Sequence, residues 1–183
     1  MFKTRLIVVD TETGGLRADR HALFSIAAID SESGNVFQTL IRPPDDLEWE
    51  KEALRVNGLD PETLATTGRR EADAMADFVI WVKCRPGAIL AGCNPAFDAG
   101  FLRAAAKRST LHWEPRRLID LSAAAWAAYE QGRLDLPTWQ DGSPKLNLDS
   151  IAQAFHLSRT GTTHDALEDA RLTLACFQRL AHL

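Results

Sequence analysis

The chain has 183 residues, 45% of them hydrophobic and 25% charged, and a formal net charge of −4. Those values suit one soluble domain spanning 1-183, and no apolar run approaches the ~20 residues of a membrane span. The acidic balance excludes affinity resting on a broad basic surface, and three cysteines without a CxxC pair exclude a disulfide framework or zinc knuckle.

In chain order, Met1-Phe2-Lys3-Thr4-Arg5 leads directly into Leu6-Ile7-Val8-Val9-Asp10. That stretch is too short for a signal peptide and ends in an acid, so a cytoplasmic location and no membrane partner are expected. Leu6 to Val9 predicts a buried central strand. Phe24 to Ile29 and Asn35 to Ile41 predict two more, paired as a hairpin across Asp30-Ser31-Glu32-Ser33-Gly34. Glu48 to Asn57 predicts a short helix closed by Gly58. The apolar spacing of Glu71 to Lys83 predicts another. Ala88 to Gly92 is a fourth strand, Phe97 to Arg108 a helix, and Arg117 to Asp120 a short fifth strand. Leu121 to Gln131, Leu148 to Phe155 and Ala166 to Leu180 complete the helices, with a surface loop over Leu134 to Lys145. The basic groups Arg69-Arg70, Arg103 with Lys107-Arg108, and Arg116-Arg117 read as solvated surface charge.

Three segments concentrate acids. In Val8-Val9-Asp10-Thr11-Glu12-Thr13-Gly14-Gly15, Asp10 and Glu12 stand two apart at a strand end and leave the same face. Adjacent carboxylates repel unless a cation lies between them, and hard oxygen ligands suit Mg²⁺ or Mn²⁺. The plain alternative is a solvated strand end. An enzymatic alternative is a phosphatase with Asp10 as nucleophile, although no convincing Gly-Asp-x-x-x-Asp follows. In Asn94-Pro95-Ala96-Phe97-Asp98, Asp98 falls in the first turn of a helix, where the macrodipole alone favours an acid. In Thr162-Thr163-His164-Asp165-Ala166-Leu167-Glu168-Asp169, Asp165 and Glu168 have capping-box spacing. Capping leaves His164 and Asp169 unexplained.

Taken together, Asp10-Thr11-Glu12-Thr13-Gly14, Asn94-Pro95-Ala96-Phe97-Asp98 and His164-x-Ala166-x-x-Asp169 resemble the three motifs of the DEDDh family of 3′→5′ exonucleases. Asp149-Ser150-Ile151-Ala152 and Ala53-Leu54-Arg55-Val56-Asn57-Gly58-Leu59 resemble the family's intervening helices, so the resemblance covers nearly the whole chain. Cys93 stands where many members carry a histidine. The resemblance implies an α/β, ribonuclease H-like fold: a five-stranded mixed sheet with helices on both faces.

It also implies two Mg²⁺ or Mn²⁺ ions per site held by Asp10, Glu12, Asp98 and Asp169, with Asp10 bridging, and His164 as general base. Substrate contacts are expected from Thr11, Thr13, Gly14 and Leu16, from Asn57, and from Phe97 by stacking. The implied activity is release of nucleoside 5′-monophosphates from the 3′ ends of single-stranded DNA or RNA. The alternative is an exonuclease-fold subunit or binding module of a polymerase assembly, with a polymerase or other replication or repair partner. A homodimer is compatible with the sequence.

Overall fold

The computed structural model describes residues 3–161 and 163–183. Met1, Phe2 and Thr162 lie outside the described residues, so the leader reading at Met1-Phe2 and the start of the third acidic segment have no counterpart here. The strands are β1 (Leu6–Thr13), β2 (Leu23–Asp30), β3 (Val36–Arg42), β4 (Arg69–Arg70), β5 (Ile89–Gly92) and β6 (Leu118–Asp120). The helices are α1 (Lys51–Asn57), α2 (Pro61–Thr67), α3 (Glu71–Lys83), α4 (Pro95–Arg108), α5 (Leu121–Glu130), α6 (Leu148–Ala154) and α7 (Ala166–Leu180).

The strands form one mixed sheet in the order β4-β3-β2-β1-β5-β6. β2 runs antiparallel to both β1 and β3, whereas β5 is parallel to β1 and to β6. The alternation of β1 divides the core. Leu6 and Val8 pack with Leu121, Ile151, Leu172 and Phe177 of α5, α6 and α7. Ile7 and Val9 pack with Met75, Phe78, Phe101 and Leu102 of α3 and α4. A strand sandwiched this way is apolar on both faces, which is why Leu6 to Val9 carries no polar alternation.

Two elements were not expected. β4 is a two-residue strand whose arginines are ion-paired with Asp77 and Asp73. It makes the sheet six-stranded rather than five-stranded, and so short a polar strand carries no periodic signal. α2 begins at a cap, Asp60, which accepts from the backbone N–H groups of Glu62 and Thr63, with Pro61 at the first helical position. That signature was present in the sequence, but seven residues are too few for a legible period. α1 starts at Lys51 rather than Glu48, because Glu48 instead bridges His21 across the chain and Glu50 remains extended. Gly58 closes α1 at φ 67°, as the glycine signal predicts. The 134–145 loop is pinned by buried Leu134 and Leu136 and by a bridge between Thr138 and Pro144. No described helix is long and apolar enough to cross a membrane.

At the far end of β2, Asp30 is fully buried and accepts from Arg5, from Arg85 Nε at 3.2 Å, and from Ser33 Oγ at 2.6 Å. The Arg5 guanidinium, first among these, holds the Asp30 carboxyl well below the usual carboxylate range. Arg85 in turn lies over the Trp81 ring, 3.4 Å from its centroid. Asp30→Asn leaves the Arg85 charge buried with reduced pairing and is expected to cost about 3 kcal/mol in urea unfolding at pH 7. A depressed carboxylate contributes stability above its unfolded pKa, near 3.8, and loses it as pH falls below that value. The gap between wild type and Asp30→Asn should therefore narrow below about pH 4, and a constant gap would show that the ion pair is not its cause.

Candidate active site

The end of β1 delivers the first two acids. Continuing its alternation, Asp10 and Glu12 leave the face that carries Leu6 and Val8, toward α7. Asp169, in the first turn of α7, meets them there. One carboxylate oxygen from each of Asp10, Glu12 and Asp169 lies within 4.8 Å of the others. Asp98, in the first turn of α4, approaches from the other side, where the Thr11 hydroxyl donates to its Oδ1 at 2.8 Å. Thr11 is thus fixed as a hydrogen-bond donor to Asp98.

These acids surround a cavity of about 380 Å³ that also contains Thr13, Gly15, Leu16, Ala53, Val56, Asn57, Cys93, Phe97 and His164. Burial, more than any single neighbour, raises the Asp10 carboxyl well above the usual carboxylate range, and Asp98, Glu12 and Asp169 raise it further. Glu12 is pushed up to about 8 by burial, then by Asp169 and Asp165. Burial pushes Asp98 up to about 7 against the opposing Thr11 hydrogen bond. Crowded, desolvated carboxylates of this kind are relieved by a multivalent cation. Glu12 is 8% exposed, and its Oε1 is buried without a hydrogen-bond partner among the described residues. A buried acceptor left without a donor fits a hard cation, and the all-oxygen donor set suits Mg²⁺ or Mn²⁺.

His164 lies two residues before α7, and its backbone N–H donates to Val56 O at 3.0 Å. Its side chain is 42% exposed, with Nδ1 3.5 Å from Asp169 Oδ2. Asp165 caps α7 by accepting from the Glu168 N–H at 2.9 Å. The other half of the capping box does not form, because the Glu168 carboxylate turns away to Thr160, whose hydroxyl donates to it at 2.5 Å.

The expected substrate contacts are placed unequally. Leu16 is 79% exposed at the cavity mouth. Phe97 lines the cavity while packing on Phe101, with ring centroids 5.0 Å apart. Asn57 is buried with its amide committed to the scaffold, donating to Thr13 O at 3.2 Å and accepting from Leu59 N at 2.9 Å. The Thr13 hydroxyl is likewise taken, by Gly15 O at 2.8 Å. Gly14 does not line the cavity. Its backbone pairs with Ala22 and Glu50, and a Cβ there would meet Trp49 Cβ at 2.8 Å, so glycine is required by chain packing. Cys93 is half-buried beside Ser122, and burial pushes its thiol up to about 11, which makes it a packing residue of the cavity wall.

A family model described as an exonuclease, RNase T, matches residues 7–177. The chain belongs to this exonuclease family. Ribonuclease T of Citrobacter koseri is 32% identical over 125 residues, covering 60% of this chain and 57% of that protein. Ribonuclease T of Yersinia enterocolitica is 34% identical over the same shares of the two chains. Among solved structures, E. coli exonuclease I in complex with a dT13 oligonucleotide superposes with a TM-score of 0.84 at 23% identity, over 97% of this chain and 41% of that one. The chain thus spans less than two thirds of these relatives' length. The DEDDh resemblance and the ribonuclease H-like fold both stand, with the sixth strand added.

Two residues beside this candidate site escaped the sequence reading. Buried His21 accepts from Arg17 N at 3.0 Å and faces Glu50 at 3.3 Å, and a Cβ on Gly15 would strike its ring. His21 therefore shapes the turn that presents Leu16. The second is Arg159, whose Nη2 donates to Asp169 Oδ2 at 2.9 Å. Neither lies in a motif, and no spacing rule marks them.

Proposed function

We propose that the chain is a divalent-metal-dependent exonuclease that removes nucleoside 5′-monophosphates from the 3′ end of single-stranded DNA or RNA. The observation that carries this reading is the convergence of Asp10, Glu12 and Asp169, with Asp98 opposite and the buried Glu12 Oε1 unpartnered among the described residues. Intact acids from three separate elements support catalysis over a purely binding role, and exonuclease-family membership removes the phosphatase alternative.

Asp10, Glu12, Asp98 and Asp169 would hold two cations. Bound there, such ions supply charge stabilisation to both the attacking and the leaving oxygen. His164 takes the proton from the attacking water. Asp169 beside its Nδ1 favours the tautomer whose Nε2 can accept. Its partial exposure leaves the proton a way out to solvent. Leu16 at the mouth wedges against the terminal base, and Phe97 on the wall supports its face. The cavity, about 380 Å³, is small for a substrate site and suits one terminal nucleotide.

That size, together with a net charge of −4, disfavours a paired end, since each step on a duplex costs the energy of fraying it. A 5′-labelled single-stranded oligonucleotide should give a ladder shortening from the far end, faster than a blunt duplex, while a circular single strand survives. DNA and RNA versions of each substrate are compared side by side. Internal nicking of the circle, or label released first as a mononucleotide, would overturn the polarity.

A further inference from the structure

Among the described residues, three of the four site acids have no basic partner, whereas Asp169 is held by a clamp. The Arg159 guanidinium donates from Nε to Asp169 Oδ1 at 2.5 Å and from Nη2 to Oδ2 at 2.9 Å. Its Nη1 reaches outward to Asp149 in the first turn of α6. The arginine side chain is 12% exposed, Asp169 is 5% exposed and Asp149 is 65% exposed, so the guanidinium spans from the buried site to solvent. The next residue, Thr160, is fastened to Glu168 of α7, which fixes the base of the arm beside the site. Among the described residues Arg159 is the one arginine or lysine paired with any of the four acids.

Such a clamp conflicts with a cation at Asp169. A bidentate guanidinium engages both carboxylate oxygens, and a divalent ion brought to them meets a fixed positive charge at close range. Asp149 offers the arginine a second anchor on the solvent side. We propose that Arg159 is a resident counter-cation: it clamps Asp169 while the site holds no metal, and it is displaced toward Asp149 when a divalent ion takes Asp169. This rests on the metal-dependent reading given above. It makes Arg159 a positioning residue that protects the acid cluster from its own repulsion and sets the threshold for metal loading.

The test uses Mn²⁺ alone, following free Mn²⁺ by electron paramagnetic resonance, alongside melting curves with and without the ion. Arg159→Gln should bind Mn²⁺ about threefold to tenfold more tightly than wild type, because no cation must be displaced. Its metal-free melting temperature should fall while its metal-loaded one stays close to wild type. Arg159→Lys, which keeps the charge but loses the fork, should lie between the two, and it preserves the test if Arg159→Gln does not fold. Asp149→Asn removes the outer anchor and should weaken Mn²⁺ binding. Unchanged or weaker Mn²⁺ affinity in Arg159→Gln would overturn the proposal while leaving the metal site standing. Absence of any wild-type Mn²⁺ binding that Asp10→Asn abolishes would overturn both.

Discussion

Asp10→Ala and Asp98→Ala should each reduce nucleotide release by about 10⁴-fold or more, since several kcal/mol of charge stabilisation depend on the cations those acids would hold. Wild-type activity should vanish in EDTA and return on addition of Mg²⁺ or Mn²⁺. The two variants differ in what they leave behind. Burial first, and then Asp98, Glu12 and Asp169, raise the Asp10 carboxyl, so its removal relieves repulsion, and the metal-free Asp10→Ala chain should melt no lower than wild type. Asp98→Ala strands the buried Thr11 hydroxyl and should cost about 1 kcal/mol. Loss of activity with an intact melting transition separates a broken site from a broken fold. Full activity in either folded variant would sink the assignment of these acids.

His164→Ala is expected to lower kcat by about 10²–10⁴-fold. Its imidazole lies beside Asp169 but is half exposed, so Mn²⁺ affinity should change little. A folded variant that keeps wild-type kcat would show that another group takes the proton. Comparison with Asp10→Ala is informative here. The acid variant should lose both metal binding and turnover, whereas the histidine variant should lose turnover alone.

The parts of this site that were legible in the sequence are those whose chemistry repeats along the chain. The apolar run Leu6 to Val9 marked the central strand because both its faces are covered. Asp10 and Glu12 were legible because a strand has period two, and Asp98 and Asp169 because each opens a helix behind a turn. Their convergence from β1, α4 and α7 was implied only by the family resemblance, since nothing local relates residue 12 to residue 169. Contacts made by a lone side chain across the fold were not legible at all. Arg159 reaching Asp169 and His21 bracing Gly15 depend on where loops come to rest. Asn57 and Gly14 show the converse. Both belong to recognisable motifs, yet here the Asn57 amide and the Gly14 backbone hold the scaffold together. α2 and β4 were missed because seven and two residues fall below the length at which periodicity can be read.

The alternation of β1 has a bearing on how activity is distributed among molecules. The same strand inserts Leu6 and Val8 into one core, Ile7 and Val9 into the other, and ends in Asp10 and Glu12. A slip of one residue against β2 would exchange the two cores and turn the acid pair to the α4 side, leaving Thr11 and Thr13 facing α7. Such a molecule forfeits its interior along with its chemistry, so a misregistered but folded population is not sustainable. Specific activity should therefore track the folded fraction linearly through a denaturant titration. Each chain is either fully competent or unfolded, with the hydrophobic interior acting as the inspector of the catalytic geometry.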